Sequence, residues 1–206
     1  MKRYTLGELI ADAVTHGVGV LLSILGLVLL LIKANTTLGY VSSAIYGFCL
    51  IFLYLSSTLF HSFPVFFKRT RAVFQRFDHS GIFLLIVGTY TPIIVHTLDL
   101  VPAIIYLIVM WLLTIIGIVF KSIWIKKFHY VHLSIYLLMG WSVVFVWQDI
   151  YPKIIDDVVL LLLGGLAYTI GVIFYLGKYK YHHFIWHLFV MAGSFFHYLV
   201  IYRIIM

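Results

Sequence analysis

Apolar residues do not alternate with polar ones along this chain; they run together. Seven apolar stretches stand out, at residues 14–32, 40–60, 82–95, 100–120, 131–147, 158–176 and 184–205. A helix rises about 1.5 Å per residue and needs about 20 residues to cross a bilayer core, so the pattern predicts seven membrane-spanning helices. The third stretch is short unless Asp78 and His79 belong to its first turn. The connections are brief and polar, with Pro64, Pro102 and Pro152 in or beside them. The expected fold is therefore all-α, one seven-helix transmembrane domain over residues 1–206. The first stretch lacks the basic start, short apolar core and cleavage site of a signal peptide, so it is expected to be retained. No internal repeat is visible, and the inverted halves of many secondary transporters are not evident.

Composition narrows the class further. Hydrophobic residues make up 64% of the 206 and charged residues only 10%, which excludes a water-soluble enzyme and a disordered tail. The single Cys49 lies inside an apolar run and offers neither a disulfide framework nor a thiolate cluster. The net charge of +7 does not call for nucleic acid as a partner, because the positive charge is distributed by side of the membrane. On the N-terminal side stand Lys2, Arg3, Lys68, Arg69, Arg71, Arg76, Lys121, Lys126, Lys127, Lys178 and Lys180; on the other stand Lys33, Lys153 and Arg203. Positive loops are retained inside, which predicts a cytoplasmic N-terminus and an external C-terminus. Lys68 to Arg76 reads as a basic loop on an anionic leaflet. Trp124, Trp147 and Trp186 near span ends read as interfacial anchors.

An ionisable side chain in hydrocarbon costs several kcal/mol and calls for a partner. The predicted topology places His61 at the inner end of the second span, Asp78 at the start of the third, and His183 and His187 at the start of the seventh. His183 and His187 are four apart, so their imidazoles leave one helix face, and Ser57 and His61 repeat that spacing on the second span. His-x3-His alone is a weak signal among 10 histidines. Its coincidence with a third histidine and a carboxylate at one depth points to a metal centre. Three imidazoles favour zinc over magnesium or calcium, while iron, nickel and copper fit the same donors. Zinc lowers the pKa of water to about 7 and polarises carbonyls, which is hydrolytic chemistry. Asp78 is the candidate proton acceptor and Ser57 a candidate to hold water, substrate or Asp78 itself. Membrane lipid reaches such a site, so a lipid-like amide or ester is the expected substrate. His16 is a candidate outer neighbour and His197 an interhelical hydrogen-bonding residue. His79, His129, His132 and His182 read as solvated or interfacial, and His96 and Asp99 lie at the opposite surface.

The segments Ser57-Thr-Leu-Phe-His61, Phe77-Asp78-His-Ser80-Gly81 through Gly88-Thr-Tyr-Thr-Pro92, and His183-Phe-Ile-Trp-His187 up to His197 resemble the haemolysin III family over essentially the whole chain. That family belongs with the progestin and adipoQ receptors and the alkaline ceramidases. The resemblance implies seven helices with a cytoplasmic N-terminus, zinc on His61, His183 and His187 with Asp78 near its water, and membrane hydrolase activity. It also implies a bacterial cytoplasmic membrane and, from the family's name, a lytic alternative. A non-enzymatic sensor with a structural metal is the other alternative, and oligomeric state stays open. The chain departs from the family pattern at one place: within Glu8, Asp12, Thr15 and His16, Asp12 stands where an amide is expected.

Overall fold

The computed structural model describes residues 5–64, 66–125 and 127–205; Lys2, Arg3 and Lys126 of the charge count lie outside them. The described residues contain seven helical segments long and apolar enough to cross a membrane. Helix α1 (Leu6–Lys33) begins well before its apolar run, because Thr5 and Glu8 form a reciprocal cap. The Thr5 hydroxyl accepts from the Glu8 amide at 3.3 Å, and the Glu8 carboxylate accepts from the Thr5 amide at 2.8 Å. The buried positions of α1 include Glu8, Asp12, Thr15, His16, Gly19, Ser23 and Gly26. Their three- and four-residue spacing is helical, and they are polar or small, so α1 turns its polar stripe inward and its apolar residues outward.

Helix α2 (Thr37–Ser62) is capped by Thr36, whose hydroxyl accepts from the Gly39 amide at 3.0 Å. Helix α3 (Lys68–Thr97) begins a full ten residues before Asp78. Lys68 to Arg76 are therefore helical, not the expected loop, and Asp78 sits in the third turn instead of the first. Long basic side chains are good helix formers, and here their heads find carbonyl acceptors at the helix ends nearby. Arg71 Nη1 donates to the Phe60 and Phe63 carbonyls at 3.1 and 3.0 Å, and Arg76 Nε donates to the Ser122 carbonyl at 3.2 Å. The first of these fixes the end of α2 on which His61 rides. Across the α2–α3 seam a Cβ on Gly88 would come within 2.6 Å of the Cys49 Cβ, so only glycine permits this approach.

Helix α3 is the axis of the bundle. In its apolar window 72% of residues are buried, against 22% in α4 (Leu100–Ile123), which faces outward. The fifth span does not run as one helix. Helix α5 (His129–Gly140) gives way to a 3-10 turn at Ser142–Val146, then to the short α6 (Trp147–Ile150). The Tyr90 hydroxyl bridges the break, donating to the Gly140 carbonyl at 2.6 Å and accepting from the Val143 amide at 3.1 Å. Helices α7 (Val158–Tyr175) and α8 (His182–Ile204) complete the chain. Helix α8 packs on α7, α1 and α3, while α5 packs on α3 and α4 and touches α7 through the stacked His129 and Tyr175 rings at 5.3 Å.

Two histidines expected at the interface are inside. His182 is buried, with Nδ1 donating to the Phe174 carbonyl at 3.1 Å, and His132 is buried with its ring 4.7 Å from that of Phe120. His197 does link helices, through Nε2 and the Leu161 carbonyl at 3.1 Å. His96 lies at the other end of the bundle, 3.3 Å from the Ser42 hydroxyl. Trp147 and Trp186 turn inward and line a cavity, so they are not simply interfacial.

Candidate metal centre

The chain alternates direction, so the end of α2 meets the starts of α1, α3 and α8 at one level. His61 stands one residue from the end of α2, and His183 and His187 occupy the first two turns of α8. Their candidate ligand atoms all lie within 4.8 Å of one another, with His61 and His187 buried and His183 partly so. Ring centroids are 4.6 Å apart for His183 and His187, 5.1 Å for His61 and His183, and 5.2 Å for His61 and His187. A buried histidine triad of this kind can bind a metal ion.

The local fold explains why α8 starts here. Tyr181 adopts left-handed backbone with φ 60°, rare for a residue with a side chain, and turns the chain into the helix. Its amide donates to Glu8 Oε1 at 3.1 Å, so the residue that caps α1 also anchors the turn preceding His183.

Around the triad lie groups the fold itself leaves without partners. Both carboxylate oxygens of Asp12, both ring nitrogens of His61 and both of His16 are buried with no hydrogen bond among the described residues. Buried polar atoms are normally paired, so this concentration beside three imidazoles fits a centre that receives a cation. The Asp12 carboxylate is 3.4 Å from His61 Nδ1, and its backbone carbonyl is 3.2 Å from His187 Nδ1. The His16 ring stacks on that of His187 at 3.5 Å with a 10° interplanar angle.

Asp78 faces the same place. Its Oδ2 accepts from His79 Nδ1 at 3.1 Å, and both side chains line a small chamber of about 20 Å³ with His16, His183 and His187. That volume holds about one water. Ser57 lies one turn before His61, fully buried, and its hydroxyl has no partner among the described residues. The chamber lies beside a much larger apolar cavity of about 130 Å³ between α3, α5, α7 and α8; Leu53, Ile82, Tyr175, Trp186 and Val190 line both.

The haemolysin-III related family model matches residues 8–198. The chain belongs to this family. It is 42% identical to the hemolysin-3 homolog of Bacillus subtilis over 196 residues, 93% of this chain and 91% of that one. It is 40% identical to hemolysin-3 of Bacillus cereus over 192 residues, 91% of this chain and 87% of that one. A more distant relative is human monocyte to macrophage differentiation factor, 29% identical over 205 residues, covering 97% and 85%. With seven apolar helices, membership makes the chain a multi-pass integral membrane protein of the haemolysin III family.

Asp12 and His79 are the neighbours that reading by motif did not assign. For Asp12 a signal existed: Glu8, Asp12, Thr15 and His16 share one helix face in an otherwise apolar segment, a costly pattern in lipid unless that face meets protein. For His79 there was none, since adjacent residues on a helix diverge and only the shape of the chamber brings both inward.

Proposed function

We propose that this protein is a membrane-embedded metal-dependent hydrolase, with zinc as the metal, acting on a lipid-like amide or ester. The observation that carries this reading is the apolar cavity lying directly against the small chamber lined by His183, His187 and Asp78, with five side chains shared between the two. An acyl chain fits the cavity, and its polar linkage then lies beside the histidines and Asp78. His61, His183 and His187 would hold the zinc, which when bound would supply Lewis acidity toward a carbonyl and lower the pKa of water to about 7.

The remaining work falls to the side chains. Asp78, oriented by the His79 Nδ1–H, takes the proton of the attacking water and returns it to the leaving nitrogen or oxygen. The Ser57 hydroxyl donates to substrate or water. Burial of the chamber restricts bulk water, strengthening each of these contacts. By the positive-inside count the chamber sits at the cytoplasmic leaflet of a bacterial cell membrane.

The test is metal content of detergent-purified protein followed by turnover on lipid amides and esters. About one zinc per chain is expected, lost in His187→Ala and kept in Asp78→Asn, with Asp78→Asn reducing turnover by on the order of 10² to 10⁴. Full activity in Asp78→Asn removes Asp78 as the base. The names of the Bacillus relatives favour a second reading, a lytic protein. Under that reading, leakage from lipid vesicles persists in the histidine variants and no hydrolysis is detected.

A further inference from the structure

We infer that Asp12 is a positioning residue of the metal centre, orienting two of its three histidines at once and supplying charge that a divalent cation requires in a bilayer. The inference rests on the metal-centre reading above and extends it to a helix that carries none of the three histidines.

The geometry of α1 places Asp12 between His61 and His187. Its carbonyl oxygen can only accept, so at 3.2 Å the His187 Nδ1 must be the donor. A neutral imidazole protonated at Nδ1 keeps its lone pair on Nε2 for a metal. At His61 the argument is electrostatic: Nδ1 stands 3.4 Å from the Asp12 carboxylate, within ion-pair range and without a hydrogen bond, and the negative charge favours a proton on that nitrogen. One residue thus faces the Nδ1 side of two ligands, accepting a hydrogen bond from His187 at its backbone and presenting negative charge to His61 from its side chain. Carboxylate and carbonyl acceptors behind ligating histidines commonly serve this purpose.

Charge gives an independent argument. Asp12 is 1% exposed and neither carboxylate oxygen has a hydrogen bond among the described residues. Such a carboxylate is unfavourable in an apolar bundle unless a cation lies close. Three imidazoles bring no charge to a dication, whereas Asp12 and Asp78 together bring two negative charges. A divalent ion brings that sum to zero. An asparagine at this position keeps an acceptor oxygen and the backbone carbonyl but removes the charge, so the effects can be separated.

The experiment measures zinc dissociation constants by chelator competition on the full chain in detergent, and the visible spectrum of the cobalt-substituted protein. Asp12→Ala is expected to weaken zinc binding about 10- to 100-fold and to shift the cobalt bands, while still reaching one metal per chain at saturation. Asp12→Asn is expected to fall between Ala and wild type with unshifted bands, a graded rescue that loss of fold does not produce. Two results overturn the inference: both variants within twofold of wild type, or Asp12→Ala losing stoichiometric zinc as completely as His61→Ala, which makes Asp12 a ligand. Wild-type protein that binds no zinc overturns the metal-centre reading itself. Wild-type binding with unchanged Asp12 variants overturns only the inference about Asp12.

Discussion

Ser57 carries a hydroxyl that the fold does not use. It is fully buried without a hydrogen-bond partner among the described residues, although a serine in a helix can bond the carbonyl four residues back, as Ser56 does at 2.6 Å. Removing an unpaired buried group is neutral or stabilising for folding. Ser57→Ala is therefore expected to leave the thermal midpoint unchanged or raised and zinc content intact, while turnover falls on the order of 10²-fold, as for other preorganised donors. Equal turnover in the variant and wild type confines Ser57 to packing. The residues of the triad were legible in the sequence because helical spacing and span direction put His61, His183 and His187 at one depth. Asp12 and His16 were less so. Their partners are 175 and 171 positions away at His187, and nothing local to α1 says which helix its polar face meets.

Tyr90 decides the shape of one span. Gly140 ends α5, and the backbone between it and Val143 loses helical bonds inside the bundle, where no water replaces them. The Tyr90 hydroxyl serves a carbonyl and an amide at that break. Tyr90→Phe strands both and is expected to lower stability by about 2 kcal/mol in denaturant titrations in mixed micelles. Zinc affinity is expected to stay unchanged, because Tyr90 lies twelve residues, or about 18 Å, along α3 from Asp78. A variant as stable as wild type shows that the break is held by packing alone. The existence of the spans was readable from apolar runs, and α4 and α7 begin where those runs predict. The boundaries of α1 and α3 were not, since capping and basic side chains extend both helices beyond the apolar segment. The break in the fifth span escaped because its cause, Tyr90, belongs to another helix.

Across the whole molecule, charge and chemistry share one end. Among the described residues, Lys68, Arg69, Arg71, Arg76, Lys121, Lys127, Lys178 and Lys180 stand at the end that holds the triad. The opposite end has Lys33, Lys153 and Arg203, and two of these have partners in the protein. The Lys33 ammonium bonds the Tyr202 carbonyl and lies 4.4 Å over its ring, and Arg203 pairs with Asp157 at 2.7 Å. The charge is one-sided, eight basic residues against three, and it predicts that the chamber faces the cytoplasmic leaflet. Single cysteines at Lys127 and Asp156, both exposed, report the two sides, and the buried Cys49 contributes no background. In intact bacterial cells Asp156→Cys is expected to react with a membrane-impermeant maleimide, and Lys127→Cys only after permeabilisation. The reverse pattern overturns the orientation and moves the chamber to the outer leaflet. The triad and its cavity would then remain, but the substrate would have to come from external lipid.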